Sequence, residues 1–316
     1  MDRKRLLRLG ICICAGIMCL QSGVLNLFAA ALSTPEVLST LLFLQTGRVT
    51  RRSQPQQSAG TPFATQPDTA PAPQPPETPV FTDDMLVQMQ YDCDYRPDLS
   101  ALLTRKLDFS LRADAPTVLI LHTHATESYS GTEGYRSLEE GQNLIAVGEE
   151  IARVLEAGGI QVIHDKTYHD YPDYDTSYRN ARHSINQYLS QYPSIAVVLD
   201  IHRDATDNPD GQLTTSATVN GQKSAQLMMV VGTDARGNYH PHWQENLSLA
   251  LKLSALLEQE NPGICRPINL RSERFNMDLT AGSLLVEVGA AGDSLQEAKI
   301  AANALAQAIL ALADGA

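Results

Sequence analysis

Short apolar runs alternate with helical patterns from Pro116 to the end of the chain. Runs of aliphatic residues such as TVLILHTH at 117–124 predict buried strands. Between them, apolar residues recur every three or four positions, as in NLIAVGEEIARVLEAGG at 143–159, where glycine marks the helix end. Strands that alternate with helices are typical of an α/β fold with a mainly parallel sheet.

The remaining elements follow from the same periodicities. Asn220-Gly221 between two β-rich runs predicts a hairpin-like pair. The predicted strands are IQVIHD (160–165), SIAVVLDIH (194–202), TSATVNGQ (215–222), SAQLMMVVGTD (224–234) and GSLLVEVG (282–289), and the predicted helices are Tyr178–Gln191, 242–260 and a long Ala-rich C-terminal segment.

The N-terminal region has a different pattern. An almost uncharged run over residues 9–31 is long enough to cross a bilayer core of about 30 Å. Four basic residues precede it within residues 1–8, so the positive-inside tendency predicts a cytoplasmic tail, a transmembrane anchor and an extracytoplasmic remainder. A cleaved secretory signal is the alternative, although the run exceeds the usual apolar core of about 7–15 residues.

A tether separates the anchor from the globular part. We assign it to residues 32–82, and from residue 51 it is rich in Pro and Gln and poor in large apolar residues, which is typical of an extended linker. Residues 83–316 are then the predicted catalytic domain. The protein is expected in the cell membrane as a single-pass protein with its catalytic domain outside.

Charge and cysteine content exclude some functions. The net charge of -12 argues against nucleic-acid binding by phosphate neutralisation. Three of the five cysteines lie in the apolar N-terminal stretch, which leaves Cys93 and Cys265. These two residues form no disulfide framework, and whether they pair or stay independent thiols is left open by the sequence.

Polar residues of the type that bind metals follow three of the predicted strands. His124 and Glu127 follow the first strand with i, i+3 spacing, which brings two side chains together on one turn. His202 ends a later strand. Because ligands gather at the carboxyl ends of strands in such sheets, these three residues are predicted to bind Zn²⁺ and leave a fourth position for water. His122 is an alternative ligand to His124, or a residue that supports it.

Glu287 interrupts an otherwise apolar strand, LLVEV at 284–288. A carboxylate in such surroundings has a raised pKa, which suits a general base that takes a proton from water and passes it to a leaving nitrogen. The structural alternative is an ion pair with Arg203 or Arg271.

Five motifs in order resemble the stage II sporulation protein P family. They are ILHTHATESY (120–129), the stretch from NLIAVG to RNAR (143–182), LDIHRDA (199–205), FNMDLT (275–280) and LLVEVGA (284–290), and the likeness spans roughly residues 115–312. The family is related to zinc-dependent N-acetylmuramoyl-L-alanine amidases. The resemblance therefore implies a three-layer α/β sandwich with a mainly parallel twisted sheet, similar to zinc amidases and carboxypeptidases.

The resemblance also implies a substrate, a process and partners. It implies hydrolysis of the amide between N-acetylmuramic acid and L-alanine in peptidoglycan, with additional endopeptidase activity on cross-links. The process is septal wall remodelling and engulfment during sporulation, together with a lytic transglycosylase and a membrane scaffold protein.

Cell-wall amidases carry their acidic ligand just before the helix, where this chain has SLEEGQN, so Glu139 or Glu140 competes with Glu127. We prefer Glu127, since an acidic pair there also stabilises the helix N-terminus.

Three further residues have predicted roles. Arg203, beside His202, is a candidate oxyanion donor or carboxylate clamp, with a structural salt bridge as the equal alternative. Asn276 and Asp278 are expected to shape the substrate groove. Two rival functions remain at this point: a catalytically inactive peptidoglycan-binding scaffold, and a zinc peptidase that acts only on peptides.

Overall fold

A computed structural model describes residues 79–82, 85, 87–206 and 211–315. The predicted tail, the anchor at 9–31 and most of the tether lie outside these residues. Within the described residues, no helix has the length and apolarity needed to cross a bilayer. All of the described residues belong to one compact unit.

Nine strands lie in the part of the chain that the structure describes. They are β1 (Met89–Asp92), β2 (Val118–Leu121), β3 (Val162–His164), β4 (Val197–Asp204), β5 (Ala217–Val219), β6 (Gln222–Ser224), β7 (Leu227–Gly232), β8 (Ile268–Arg271) and β9 (Ser283–Ala290). The central sheet has the order β1-β8-β7-β9-β4-β2-β3, and β5 and β6 form a separate hairpin. Every neighbouring pair of the central sheet is parallel except β7 and β9, which confirms the prediction of a mainly parallel sheet.

Helices cover both faces of the sheet, so the predicted three-layer α/β sandwich is confirmed. They are α1 (Leu99–Thr104), α2 (Leu144–Ala157), α3 (Ser177–Gln191), α4 (Trp243–Glu260) and α5 (Leu295–Gly315). Helix α2 packs against α5, and α1 packs against α4, all on one large apolar core. Helix α3 packs on the opposite face through Ala181 and Ile185.

The alternation of side chains along β4 and β9 decides which face carries the polar residues. Leu199 and Ile201 belong to the large core, whereas Val198 belongs to the core under α3. Since successive side chains of a strand point to opposite faces, Asp200 and His202 share the α3 face with Val198. By the same parity, Glu287 shares a face with Leu285 and not with the large core.

A reversal of strand order creates a crevice between β2 and β4. The chain passes from β2 to β3 on one side of β2 and then returns to β4 on the other side. In sheets of this kind, ligands bind outside the carboxyl ends of the strands at such a switch point. The segments that follow β2 and end β4 therefore lie where a ligand site is expected.

The structure differs from the sequence prediction at the small and the edge elements. The turn at Asn220-Gly221 is present, but its second strand is β6, and the longer run that follows becomes β7 of the main sheet. Strands β1 and β8 and helix α1 were not predicted. Cys93 follows β1 and Cys265 precedes β8, at opposite ends of a parallel pair, so the two cysteines are separate free thiols.

Candidate active site

A tight turn after β2 presents the first two candidate ligands, and two buried carboxylates fix this turn. Asp200 accepts hydrogen bonds from Thr123 N at 2.8 Å and from Thr123 Oγ1 at 2.6 Å. Asp170 accepts from Thr126 Oγ1 at 2.5 Å and from Thr126 N at 3.3 Å. Because Thr123 and Thr126 flank His124 and precede Glu127, these bonds hold the two candidate ligands in one orientation.

The structure brings together four of the residues predicted from the sequence. His202 Nδ1 lies 3.8 Å from Glu127 Oε2. The rings of His124 and His202 meet edge to face with centroids 5.3 Å apart. In the register of β4 and β9, His202 is directly opposite Glu287. His124, Glu127, His202 and Glu287 therefore lie close together at the carboxyl end of the sheet.

His122 does not belong to this group, which corrects the idea that it replaces His124. Its Nε2 lies 2.9 Å from Nε2 of His164, and its Nδ1 lies 3.2 Å from the carbonyl oxygen of Ile201. A Cβ on Gly148 of α2 would meet both imidazoles, so His122 points to the α2 face. An extended chain through residue 124 would place His122 and His124 on the same face. Instead, β2 ends at Leu121 and the chain turns.

The alternative acidic ligands also lie elsewhere. Glu139 and Glu140 are exposed and belong to the turn before α2. Glu140 forms an ion pair with Lys166 at 3.6 Å, and Glu139 accepts a hydrogen bond from Gln142. Glu127 is instead buried, at 6% exposure, beside His202. The geometry therefore favours Glu127 as the acidic member of the site.

Carboxylates surround the His202 imidazole. Its Nε2 lies 3.0 Å from Asp200 Oδ1, while Glu127 and Glu287 approach from other sides. Burial opposes a charge on the ring, but Asp200 and the other carboxylates outweigh it and raise the pKa of His202 to about 10. Burial also raises the pKa of Glu127, and burial together with Glu127 raises the pKa of Glu287 to about 8. The site therefore groups three carboxyl groups around one buried imidazole.

Buried polar atoms of the site lack a hydrogen-bond partner among the described residues. His124 Nδ1 and Glu287 Oε2 have none, and His202 Nε2 has only its 3.0 Å contact with Asp200 Oδ1. Neither Arg203 nor Arg271 forms the ion pair with Glu287 that was the structural alternative. In the described part of the chain, no three His, Cys, Asp or Glu side chains converge closely enough to form a ready-made metal cage. The donor types nevertheless fit zinc, and two atoms each about 2 Å from a tetrahedral ion would lie about 3.3 Å apart, near the separation of His202 and Glu127.

Arg203 is engaged inside the protein. Its Nε donates to Ser128 O at 3.0 Å, its Nη2 donates to Tyr135 O at 3.1 Å, and its Nη1 lies 3.5 Å from Glu127 Oε1. With 8% of the residue exposed, Arg203 fixes Glu127 and the loop after it. This placement favours the structural salt bridge over an oxyanion donor.

Asn276 and Asp278 anchor a loop to α3. Asp278 accepts two hydrogen bonds from Arg182, both at 2.8 Å, and Asn276 Nδ2 donates to Tyr178 O at 2.8 Å. Asp278 is also 3.2 Å from Arg274. Their contacts therefore attach this loop to Tyr178 and Arg182 of α3 and leave little of Asp278 free for a substrate.

Sequence reasoning missed the two tyrosines that cover the imidazoles. Tyr174 stacks on His124 at 4.4 Å between ring centroids, and Tyr178 lies 5.5 Å from His124 and 6.4 Å from His202. The Tyr178 hydroxyl forms no hydrogen bond to a described residue. Burial and the nearby carboxylates, Asp200 foremost, raise the pKa of Tyr178, so its phenol stays protonated. Only the repeated tyrosines of YHDYPDYDTSY hinted at an aromatic wall.

Solved structures similar to this chain include three amidases. N-acetylmuramoyl-L-alanine amidase AmiC2 of Nostoc punctiforme is 17% identical with a TM-score of 0.37, over 61% of this chain and 95% of that chain. The amidase from Clostridium difficile 630 is 15% identical with a TM-score of 0.36, over 63% and 96%. The CwlD amidase from Clostridioides difficile, in complex with the GerS lipoprotein, is 12% identical with a TM-score of 0.36, over 63% and 95%.

Two comparisons of sequence match the same family. Stage II sporulation protein P of Bacillus subtilis (strain 168) is 30% identical over 209 residues, which cover 61% of this chain and 50% of that protein. The chain thus spans about half the length of this curated relative. The sequence model of the family described as Stage II sporulation protein P matches residues 48–310. The chain therefore belongs to the stage II sporulation protein P family.

Proposed function

We propose that this protein is a zinc-dependent peptidoglycan hydrolase that cleaves the amide between N-acetylmuramic acid and L-alanine of the stem peptide. The observation that carries the proposal is the grouping of His124, Glu127 and His202 with Glu287 at the carboxyl ends of three strands. Membership of the sporulation family makes peptidoglycan the expected substrate. An additional endopeptidase activity on stem-peptide cross-links is part of the same proposal.

His124, Glu127 and His202 would hold the metal, with Asp200 behind His202. When bound, zinc supplies Lewis acidity that makes water a nucleophile near neutral pH and polarises an amide carbonyl. Asp200 lies 3.0 Å from the ring nitrogen of His202 that faces away from Glu127, which fixes the orientation of the imidazole. Arg203 holds Glu127 in the same way.

Glu287 is the proposed general base. Its partnerless Oε2 accepts a proton from the attacking water and delivers it to the nitrogen of L-alanine as the amide bond breaks. Burial raises the pKa of Glu287 to about 8, which suits a group that must both take and release a proton. A nearby cation would lower this pKa toward neutrality. Neither arginine that might have neutralised it does so.

Tyr178 is the proposed donor to the carbonyl oxygen on which negative charge develops. Its ring contacts both imidazoles, and its hydroxyl has no hydrogen-bond partner among the described residues. A phenol whose pKa is raised donates a hydrogen bond without losing its proton. It takes over the role that the sequence had suggested for Arg203.

The biological setting is proposed from the family resemblance. We infer septal wall remodelling and engulfment during sporulation, with a lytic transglycosylase and a membrane scaffold protein as partners. The predicted anchor at 9–31 would hold the protein in the cell membrane with residues 83–316 outside, linked by the tether at 32–82.

Two rivals make different predictions. A catalytically inactive scaffold would bind peptidoglycan in the same crevice, but it would need no buried carboxylate with a raised pKa beside the imidazoles. A peptidase that acts only on peptides would leave every stem attached to its sugar. The partnerless Glu287 favours an enzyme over the scaffold.

Mass spectrometry of digestion products separates the three functions. Full-length protein, purified in mild detergent, is incubated with isolated peptidoglycan, with zinc or with a chelator, and Glu287→Gln is the matched inactive control. Free stem peptides that vanish with the chelator are expected. Cleaved cross-links with stems still on the glycan would identify a peptidase, and the absence of any metal-dependent product would identify a scaffold.

A further inference from the structure

A cavity of about 390 Å³ adjoins the candidate active site. Thr126, which lies between His124 and Glu127, forms part of its wall, and so does Tyr174, which stacks on the His124 ring at 4.4 Å. The lining also includes Arg136, Leu138, Asp170 and Tyr171. A group bound in this cavity would therefore be close to the reacting atoms.

Arg136 is the one lining residue whose side chain is a permanent cation, and only part of it is occupied. Its Nη1 donates to Thr126 Oγ1 at 2.8 Å and to Asp170 Oδ2 at 3.1 Å. Its Nε and Nη2 form no hydrogen bond to any residue that the structure describes. The side chain is 41% exposed. Donors of the guanidinium fork thus remain available to a ligand.

The guanidinium is held in place before any ligand arrives. Its Cζ lies 4.8 Å from the centroid of the Tyr174 ring, and Asp170 holds Nη1 from the other side. The Asp170 side chain is completely buried, and its oxygens accept from Thr126 and Arg136. The carboxylate therefore positions the guanidinium, while the exposed donors are those of the arginine.

These features select a carboxylate as ligand. An arginine fork matches a carboxylate in geometry and charge, and a fixed fork loses little conformational entropy on binding. Tyr171, 58% exposed, and Leu138, 52% exposed, add apolar surface for the chain that carries the carboxylate. A neutral sugar would leave the charged donors without a matching group.

Distance indicates which carboxylate of the proposed substrate is bound. Arg136 Cζ lies 4.8 Å from the Tyr174 ring centroid, which itself lies 4.4 Å from the His124 ring centroid, so the guanidinium is within about 9 Å of the His124 ring. Two residues of extended peptide span about 7 Å, so the second residue of a stem peptide whose scissile amide lies at His124 comes close to Arg136. The second residue of a stem peptide carries an α-carboxylate outside the peptide chain, either free or amidated. We propose that Arg136 binds this carboxylate in its free form and makes the cavity a specificity subsite. This inference rests on the proposed amidase function.

The test compares two muramoyl tripeptides that differ only at this carboxylate, with D-isoglutamate or D-isoglutamine as the second residue, so that the γ-carboxyl is an amide in both. Full-length protein with zinc is assayed for kcat/KM on both, and the Glu287→Gln variant is titrated with both by calorimetry to measure Kd without turnover. We expect about a tenfold preference for the free carboxylate in both measurements. Arg136→Gln should reduce the ratio to about one, whereas Arg153→Gln, which alters a surface pair on α2, should keep it.

The ratio of the two ligands separates recognition from a structural role. If Arg136 only supported the turn at Thr126, the variant would lose activity equally on both ligands and keep the ratio, which would overturn the subsite. Equal binding of both ligands by the parent protein would overturn it too and leave the amidase function intact. A tenfold difference in Kd with no cleavage of either would support the subsite and refute the amidase function.

Discussion

Glu287 shows how one residue in an apolar strand can determine the chemistry of a site. We predict that Glu287→Gln lowers kcat by about 10²–10⁴-fold, because the amide keeps the shape but cannot accept the proton. Zinc content should be unchanged, since His124, Glu127 and His202 remain. Steady-state kinetics and metal analysis on the same preparation test this. Activity above a tenth of the parent value would assign the base elsewhere.

Tyr178 gives a second prediction at the residue scale. Tyr178→Phe removes only the hydroxyl proposed to donate to the developing oxyanion, so kcat should fall about 10–100-fold with KM nearly unchanged. Tyr188→Phe, on the same helix but in the core under α3, is the matched control and should keep its kcat. A rise in KM at constant kcat would make Tyr178 a substrate-binding residue instead.

The position of some site residues could be predicted from the sequence, whereas the roles of others could not. His124, Glu127, His202 and Glu287 were found because strand ends in an α/β pattern converge, which is a property of topology. The roles of His122 and Arg203 depend on where the backbone turns and which carbonyls lie nearby. Tyr178 was missed because the sequence pattern of an amphipathic helix does not show whether an aromatic side chain packs in the core or lies in a functional site.

At the scale of elements, the loop after β8 depends on its attachment to α3. Asp278 accepts two hydrogen bonds from Arg182 and is mostly buried, so Asp278→Asn should lower the free energy of unfolding by about 2 kcal/mol. The exposed pair of Arg153 and Glu150 is the control, and its removal should cost about 0–1 kcal/mol. Urea unfolding of the full-length protein measures both.

The same ion pair has a defined pH dependence. Burial opposes the charge on Asp278, but the hydrogen bonds from Arg182 prevail and hold its folded-state pKa below the ordinary value of 3.8. The stabilisation is therefore complete above about pH 5 and is lost as pH falls below 3.8. The difference in stability between the parent protein and Asp278→Asn should be constant from pH 7 to 5 and then shrink. A difference that grows in acid would contradict this sign.

The elements that the sequence missed are short or lie at the sheet edge. β1 (MQYD) and β8 (INLR) lack the continuous aliphatic run that marks β2 (VLIL), which has the same length of four residues. The run that became β7 was paired with the wrong partner, because the turn at Asn220-Gly221 specifies a local hairpin and says nothing about a later strand. Long periodic segments such as α2 and α4 were predicted to within about two residues.

At the scale of the whole molecule, the proposed anchor can be tested by fractionation. Residues 9–31 lie outside the described residues, so the prediction comes from the apolar run and its basic flank alone. The full-length chain should sediment with membranes and resist extraction by high salt, whereas a variant that lacks residues 1–31 should be soluble. A parent protein that is released by salt, or that is shortened by about 30 residues, would favour the cleaved signal.

Metal binding should stabilise the whole domain, because the candidate ligands come from elements that are far apart in the chain. Without a cation, Glu127, Asp200 and Glu287 crowd one buried imidazole, and this arrangement costs free energy. Zinc at 100 times its Kd should add about 2.7 kcal/mol to the free energy of unfolding, which thermal melts of the full-length protein with zinc or chelator would detect. His202→Ala should abolish the zinc-dependent shift. His183→Ala, which changes a histidine on the outer part of α3, should retain the shift, and a zinc-dependent shift that persists in His202→Ala would mean that zinc binds elsewhere.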